Sequence, residues 1–184
     1  MAVRNSIGMI ELSSIAAGFQ VTDAMLKAAD VSLLLARTIC SGKYMVLVRG
    51  DVAAVDSAVG AGVTSGGFSV IDKFLIPNVH ESVFPAISGL TRVEHLEALG
   101  IIESFSVASL IEGADAMAKT ASIRLIEVRL AMALGGKAFA TCTGTVAAVS
   151  SAVDAGARAI GRKGMLVNKV VIPHPRPELL NEMI

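Results

Sequence analysis

The chain of 184 residues states one pattern twice, and this duplication limits its fold more than any other feature. Ile7-Gly8-Met9-Ile10-Glu11 is answered 92 positions later by Leu99-Gly100-Ile101-Ile102-Glu103. At the same spacing Asp23-Ala24-Met25-Leu26-Lys27 matches Asp115-Ala116-Met117-Ala118-Lys119, and Arg37 matches Arg129. The spacing grows to 94 for Gly42-Lys43 against Gly136-Lys137 and for Val52-Ala53-Ala54-Val55 against Val146-Ala147-Ala148-Val149. It reaches 96 for Ile76-Pro77 against Ile172-Pro173. Insertions are tolerated in loops, so the first change of spacing puts loops at 38–43 and 130–137. Each copy has about 90 residues, enough for a self-contained domain. The expected domains are 1–90 and 97–184, joined by a short linker from Ser88 to Ala98.

Within the first copy, residues 6–12 are a short apolar run, expected to be a buried strand. Residues 15–29 have a helical pattern, with Phe19, Ala24 and Met25 near one face and an Asp23–Lys27 pair on another. Val31 to Ile39 is rich in Leu and β-branched residues and reads as a strand, followed by turn chemistry at Ser41-Gly42. From Tyr44 to Arg49 the residues alternate as in a strand. Asp51 is expected to cap a helix carrying Val52, Val55 and Val59, with Thr145 at the matched place. Gly60, Gly62, Gly66 and Gly67 are expected to end that helix, and Ser69 to Ile76 to form the last strand, stopped by Pro77. The order strand, helix, strand, strand, helix, strand is the split βαβ, ferredoxin-like arrangement of an α/β (α+β) domain. That fold hosts many functions and selects none.

Lys plus Arg and Asp plus Glu are 16 each, so no net field attracts nucleic acid. The longest uncharged run, Ala138 to Val153, is interrupted by Thr, Ser and Gly and falls short of the roughly 20 apolar residues a spanning helix needs. The first residues, Met1 to Asn5, show no signal-peptide core, so a cytoplasmic location is expected. Hydrophobic residues make up 53% of the chain, which for so small a chain favours burial against partners in an oligomer.

Catalytic and nucleotide motifs are absent in the places where chemistry needs them. Gly60-Ala61-Gly62-Val63-Thr64-Ser65-Gly66 closes a helix, whereas a phosphate loop opens one. Gly42-Lys43 and Gly136-Lys137 lack both the upstream Gly and the following Ser or Thr of a P-loop. His80, His95 and His174 have no metal-ligand spacing, and no nucleophile signature is present. The chain is therefore not expected to be an enzyme. Cys142, in the strand 137–143, reads as a buried structural thiol. Cys40 stands in the loop Thr38-Ile39-Cys40-Ser41-Gly42-Lys43, where a single thiolate cannot hold a cluster alone.

Taken as a set, the Gly-x-Ile-Glu opening, the Asp-Ala-Met-x-Lys helix, the Gly-Lys hairpin, the Val-x-Ala-Val helix start and the Ile-Pro close resemble the bacterial microcompartment domain. The resemblance covers roughly 6–82 and 98–178 and has the unpermuted element order. It implies a tandem-domain shell protein, a homotrimer that mimics a hexamer and tiles with hexameric shell proteins, found in a microcompartment shell in the cytoplasm. The Thr-Ile-Cys-x-Gly-Lys loop is similar to that of members whose loop cysteine meets its symmetry mates at the central pore and ligates one 4Fe–4S cluster per trimer. By that resemblance Cys40 is the cluster ligand, Thr38, Ile39, Ser41 and Gly42 form the pore loop, and Lys27 and Lys119 lie at the shell edge. Two departures are visible. Ser41 stands where relatives commonly have Pro, and the usual edge Arg after Ile-Pro is missing from both copies, with Arg176 as its substitute.

Three functions follow as expectations. The first is a shell trimer whose cluster moves electrons across the shell, with an encapsulated redox enzyme as a further partner. The second is a shell trimer with an open metabolite pore and no cluster. The third is a tandem ferredoxin-like small-molecule sensor. Neither nucleic acid nor a membrane is expected as a partner.

Overall fold

A computed structural model describes residues 5–89, 91–131 and 134–181. The chain divides into two compact units, Met1–Val79 with Met132–Gly136, and His80–Ala131 with Lys137–Ile184.

The first unit runs β1 (Ser6–Leu12), α1 (Ile15–Ala28), β2 (Ser32–Ile39), β3 (Lys43–Gly50), α2 (Val52–Gly66) and β4 (Val70–Ile76). Its strands form one antiparallel sheet in the order β2-β3-β1-β4. The alternation in β3 turns Tyr44, Val46 and Val48 toward the two helices. There they join Ile10, Leu12, Val21, Met25, Val55 and Ala58 in the core. Ile7, Met9, Met45 and Leu47, on the opposite face of the sheet, are buried as well.

The second unit begins with α3 (Val83–Ser88) and continues β5 (Ala98–Ser104), α4 (Val107–Thr120), β6 (Arg124–Arg129), β7 (Ala138–Gly144), α5 (Val146–Gly161), β8 (Leu166–Pro173) and α6 (Glu178–Asn181). Its sheet order, β6-β7-β5-β8, repeats that of the first unit. The duplicated sequence thus folds as a duplicated α/β topology in the expected element order. Among the described residues no helix is long and apolar enough to cross a membrane.

Several local expectations need correction. α2 passes through Gly60 and Gly62 and ends only at Gly66, with Gly67 (φ 51°) as its cap. Gly62 serves packing: a Cβ there would lie 2.4 Å from Ile10 Cδ1 and 2.7 Å from Met25 Cγ. Asp51 occupies the N-cap position of α2, but its side chain makes no capping hydrogen bond. At the matched position Thr145 does cap, its Oγ1 accepting from the Ala148 N–H at 3.2 Å. Within the short linker expected from Ser88 to Ala98, Val93 and Leu96 are buried with Leu99 and Ile126. Finally, Phe19 does not join Met25 in the core; it is 65% exposed, with its ring centroid 5.2 Å from that of Tyr44.

Candidate functional site

The β2–β3 hairpin closes on the pair Ile39 and Lys43, and Cys40–Gly42 between them form one 3-10 turn. Thr38 and Ile39, expected in the loop, are therefore the last residues of β2, and Ile39 is buried. Ser41 adopts φ 67°, ψ 28°, and Gly42 φ 70°. A left-handed conformation costs a non-Gly residue roughly 1–2 kcal/mol. Proline, locked near φ −65°, cannot adopt it, so this turn differs in shape from one with Pro after the cysteine.

The turn displays Ser41 and Gly42 to solvent and holds Cys40 half-buried. The Leu134 N–H donates to Cys40 Sγ at 3.3 Å. A Cβ on Gly136 would come within 3.1 Å of Ser41 Oγ. Residues 134–136 thus line the turn, within the first unit. Met132 and Ala133 of the second hairpin loop lie outside the described residues. Behind the turn, Lys43 Nζ lies 3.0 Å from Glu11 Oε1, and Glu11 is buried.

The two cysteines differ in chemistry. Cys142 lies within β7, and burial pushes its thiol up from 9.0 to about 12, against a smaller lowering by a backbone hydrogen bond with Gly100. Burial keeps it protonated at neutral pH. Cys40 sits at a solvent-facing turn with a backbone N–H directed at its sulfur, which suits an anionic ligand. Among the described residues, no group of three or more His, Cys, Asp or Glu side chains converges to hold a metal ion. One thiolate cannot hold a cluster alone, so a cluster on Cys40 would need the same cysteine from several chains.

The expected edge residues lie on two helices and the C-terminal segment. Lys27 Nζ pairs with Asp23 at 2.6 Å on α1, both well exposed. Lys119 pairs with Asp115 at 2.6 Å on α4, where Asp115 is buried and also accepts the His80 N–H at 2.8 Å. Arg176 is exposed, 3.2 Å from Glu178.

One feature escaped the sequence reading. The outer face of the second sheet carries a concavity of about 340 Å³ lined by Ile101, Glu127, Arg129, Phe139 and Ile172. Arg129 pairs with Glu127 at 2.6 Å and lies 5.3 Å from the Phe139 ring centre. Aligning the copies position by position offers a signal: Phe139 and Thr141 stand where the first copy has Met45 and Leu47.

Residues 6–79 and 98–175 each match the BMC domain. The chain is 42% identical to the bacterial microcompartment shell protein PduT of Citrobacter freundii, over 97% of both chains. One copy is 45% identical to the shell protein EutM of Salmonella typhimurium, over 46% of this chain and 85% of that one. A crystal structure of a microcompartment protein from Desulfitobacterium hafniense superposes with a TM-score of 0.88 at 53% identity, covering 97% of this chain and 99% of that one.

Proposed function

The chain belongs to the bacterial microcompartment shell-protein family as a tandem-domain, PduT-like member, and from that premise we propose that it is a homotrimeric shell tile holding one 4Fe–4S cluster through Cys40 of its three chains. The relatives are named as shell proteins, which favours a tile over a small-molecule sensor. Hexameric shell proteins are the proposed neighbours in the sheet, through the edge that carries Lys27, Lys119 and Arg176. An encapsulated redox enzyme is the proposed electron partner.

The observation that carries the cluster reading is the Cys40 turn. It is solvent-facing, it carries one thiol per chain, and it directs the Leu134 N–H at the sulfur. Such hydrogen bonds stabilise sulfur anions and raise cluster potentials. When bound, the cluster would supply one-electron transfer at the tile's axis. The protein's part is to hold Cys40 at the turn. The left-handed Ser41 and Gly42 bring the chain straight back into β3. Lys43, anchored on buried Glu11, fixes the root of the hairpin.

The test is iron content and EPR on protein purified without oxygen, wild type beside Cys40→Ala. The expected result is close to four irons per trimer with a cluster signal, both lost in the variant while the trimer persists. Wild type that carries no iron and cannot be reconstituted would refute the cluster and leave the open metabolite pore, lined by the same small and polar Ser41 and Gly42.

A further inference from the structure

The two hairpins carry the same arginine with different partners. Arg37 on β2 and Arg129 on β6 stand at matched positions, and each lies directly opposite a residue of the returning strand, Met45 and Phe139. In the second copy Glu127, two residues earlier on β6, takes up Arg129. Its Oε1 accepts from Nε at 2.7 Å and lies 2.6 Å from Nη2. The first copy has Leu35 at the place of Glu127. There Arg37 Nε is buried and has no hydrogen-bond partner among the described residues.

Across the first sheet, one row of directly opposed residues runs Arg37, Met45, Glu11, Asp72. Met45 separates Arg37 from Glu11, and Glu11 is already paired with Lys43 at 3.0 Å. Asp72 lies at the far edge of the sheet, on β4, where its Oδ1 accepts the Lys73 N–H at 2.8 Å. The row thus keeps the cation of the second copy without the carboxylate that neutralises it there. A buried N–H of a charged group is costly when unpaired, and such groups are rare in folded proteins. The guanidinium offers its donors as a rigid fork that matches a carboxylate. A doubly charged phosphate calls for a second cation, and Lys43 is committed to Glu11. One uncompensated positive charge, with half-buried Leu35 and buried Met45 beside it, fits a single carboxylate on a short hydrocarbon tail.

We propose that Arg37 binds a small monocarboxylate, which takes on its guanidinium the place that Glu127 holds on Arg129. Arg37 as a whole is half-buried, so a turn of its side chain brings the Nε edge to a ligand arriving from solvent. The site stands on β2 just ahead of Cys40, at the foot of the turn. It rests neither on the cluster nor on the trimer, and it stands or falls without them.

The test is NMR of the full-length protein with isotope-labelled arginine, following the Nε–H resonances as acetate is added at constant ionic strength. The Arg37 resonance is the one missing from Arg37→Gln. In the wild type it is expected to move saturably with millimolar acetate and to stay in place with acetamide, which has the same shape and no charge. Leu35→Glu supplies the internal carboxylate that the second copy has. It is expected to set the Arg37 resonance where saturating acetate does and to weaken the response to added acetate at least tenfold. A wild-type resonance that does not saturate, that moves equally with acetamide, or that responds as strongly in Leu35→Glu would overturn the site. A wild-type resonance already at the carboxylate-bound position before acetate is added would overturn it too, by showing that a carboxylate of the protein itself occupies Arg37.

Discussion

The Glu–Lys pair at the root of each hairpin is the same pair in sequence and a different one in physics. Glu11 and Lys43 lie 3.0 Å apart with the carboxylate side chain 1% exposed, whereas Glu103 and Lys137 lie 4.0 Å apart with the carboxylate 33% exposed. The same contrast separates Asp23 from Asp115 and Phe19 from Ile111. A duplicated domain repeats its internal core, because that core is set by the pattern along its own strands and helices. The outward faces are set by whatever lies against them, so two identical residues at matched positions can do different work.

The comparison can be broken most strongly at the ion pairs. Lys43→Ala removes a main partner of a buried carboxylate and is expected to cost roughly 3 kcal/mol in urea unfolding. Lys137→Ala, at the matched but half-exposed pair, is expected to cost less than about 1 kcal/mol. Equal losses at the two sites would show that burial does not separate them.

Another contrast concerns Cys142, whose matched residue in the first copy is Val48. The folded thiol releases its proton near 12 and the unfolded one near 9.0. Between those values the unfolded state binds fewer protons, so stability is complete below pH 9 and falls as pH rises toward 12. Unfolding midpoints measured across that range should decline less for Cys142→Val than for wild type.

The helix caps sharpen the comparison further. Thr145→Ala deletes a capping bond and should cost about 1 kcal/mol, whereas Asp51→Ala should cost only a few tenths of that. Smallest is the turn itself. Ser41→Gly relieves a left-handed conformation and should stabilise the chain by about 0.5 kcal/mol, against the extra freedom it gives the unfolded chain. Ser41→Pro should instead lower the thermal midpoint, since the ring cannot take φ 67°.

Much of this was legible in the sequence for physical reasons. Residues 6–12 form β1, and Tyr44, Val46 and Val48 face the core, because period-two alternation is a property of the segment itself. The inserted residues mark the second hairpin loop because connecting segments tolerate insertions that strands and helices do not. The exposure of Phe19 is not legible in the sequence, because helical spacing gives a stripe's membership without saying which stripe meets the core. Gly62 reads as a helix end because a glycine in a sequence does not reveal the Ile10 and Met25 side chains that press on it. The role proposed for Cys40 rests on resemblance, since the Leu134 N–H that meets its sulfur is 94 positions away in the chain.

The proposed tile is a ring of three chains. Native mass spectrometry of the full-length wild type, across a tenfold range of concentration, tests it most directly. A trimeric tile gives one species of three chain masses throughout. A dominant species of one or two chain masses would contradict it.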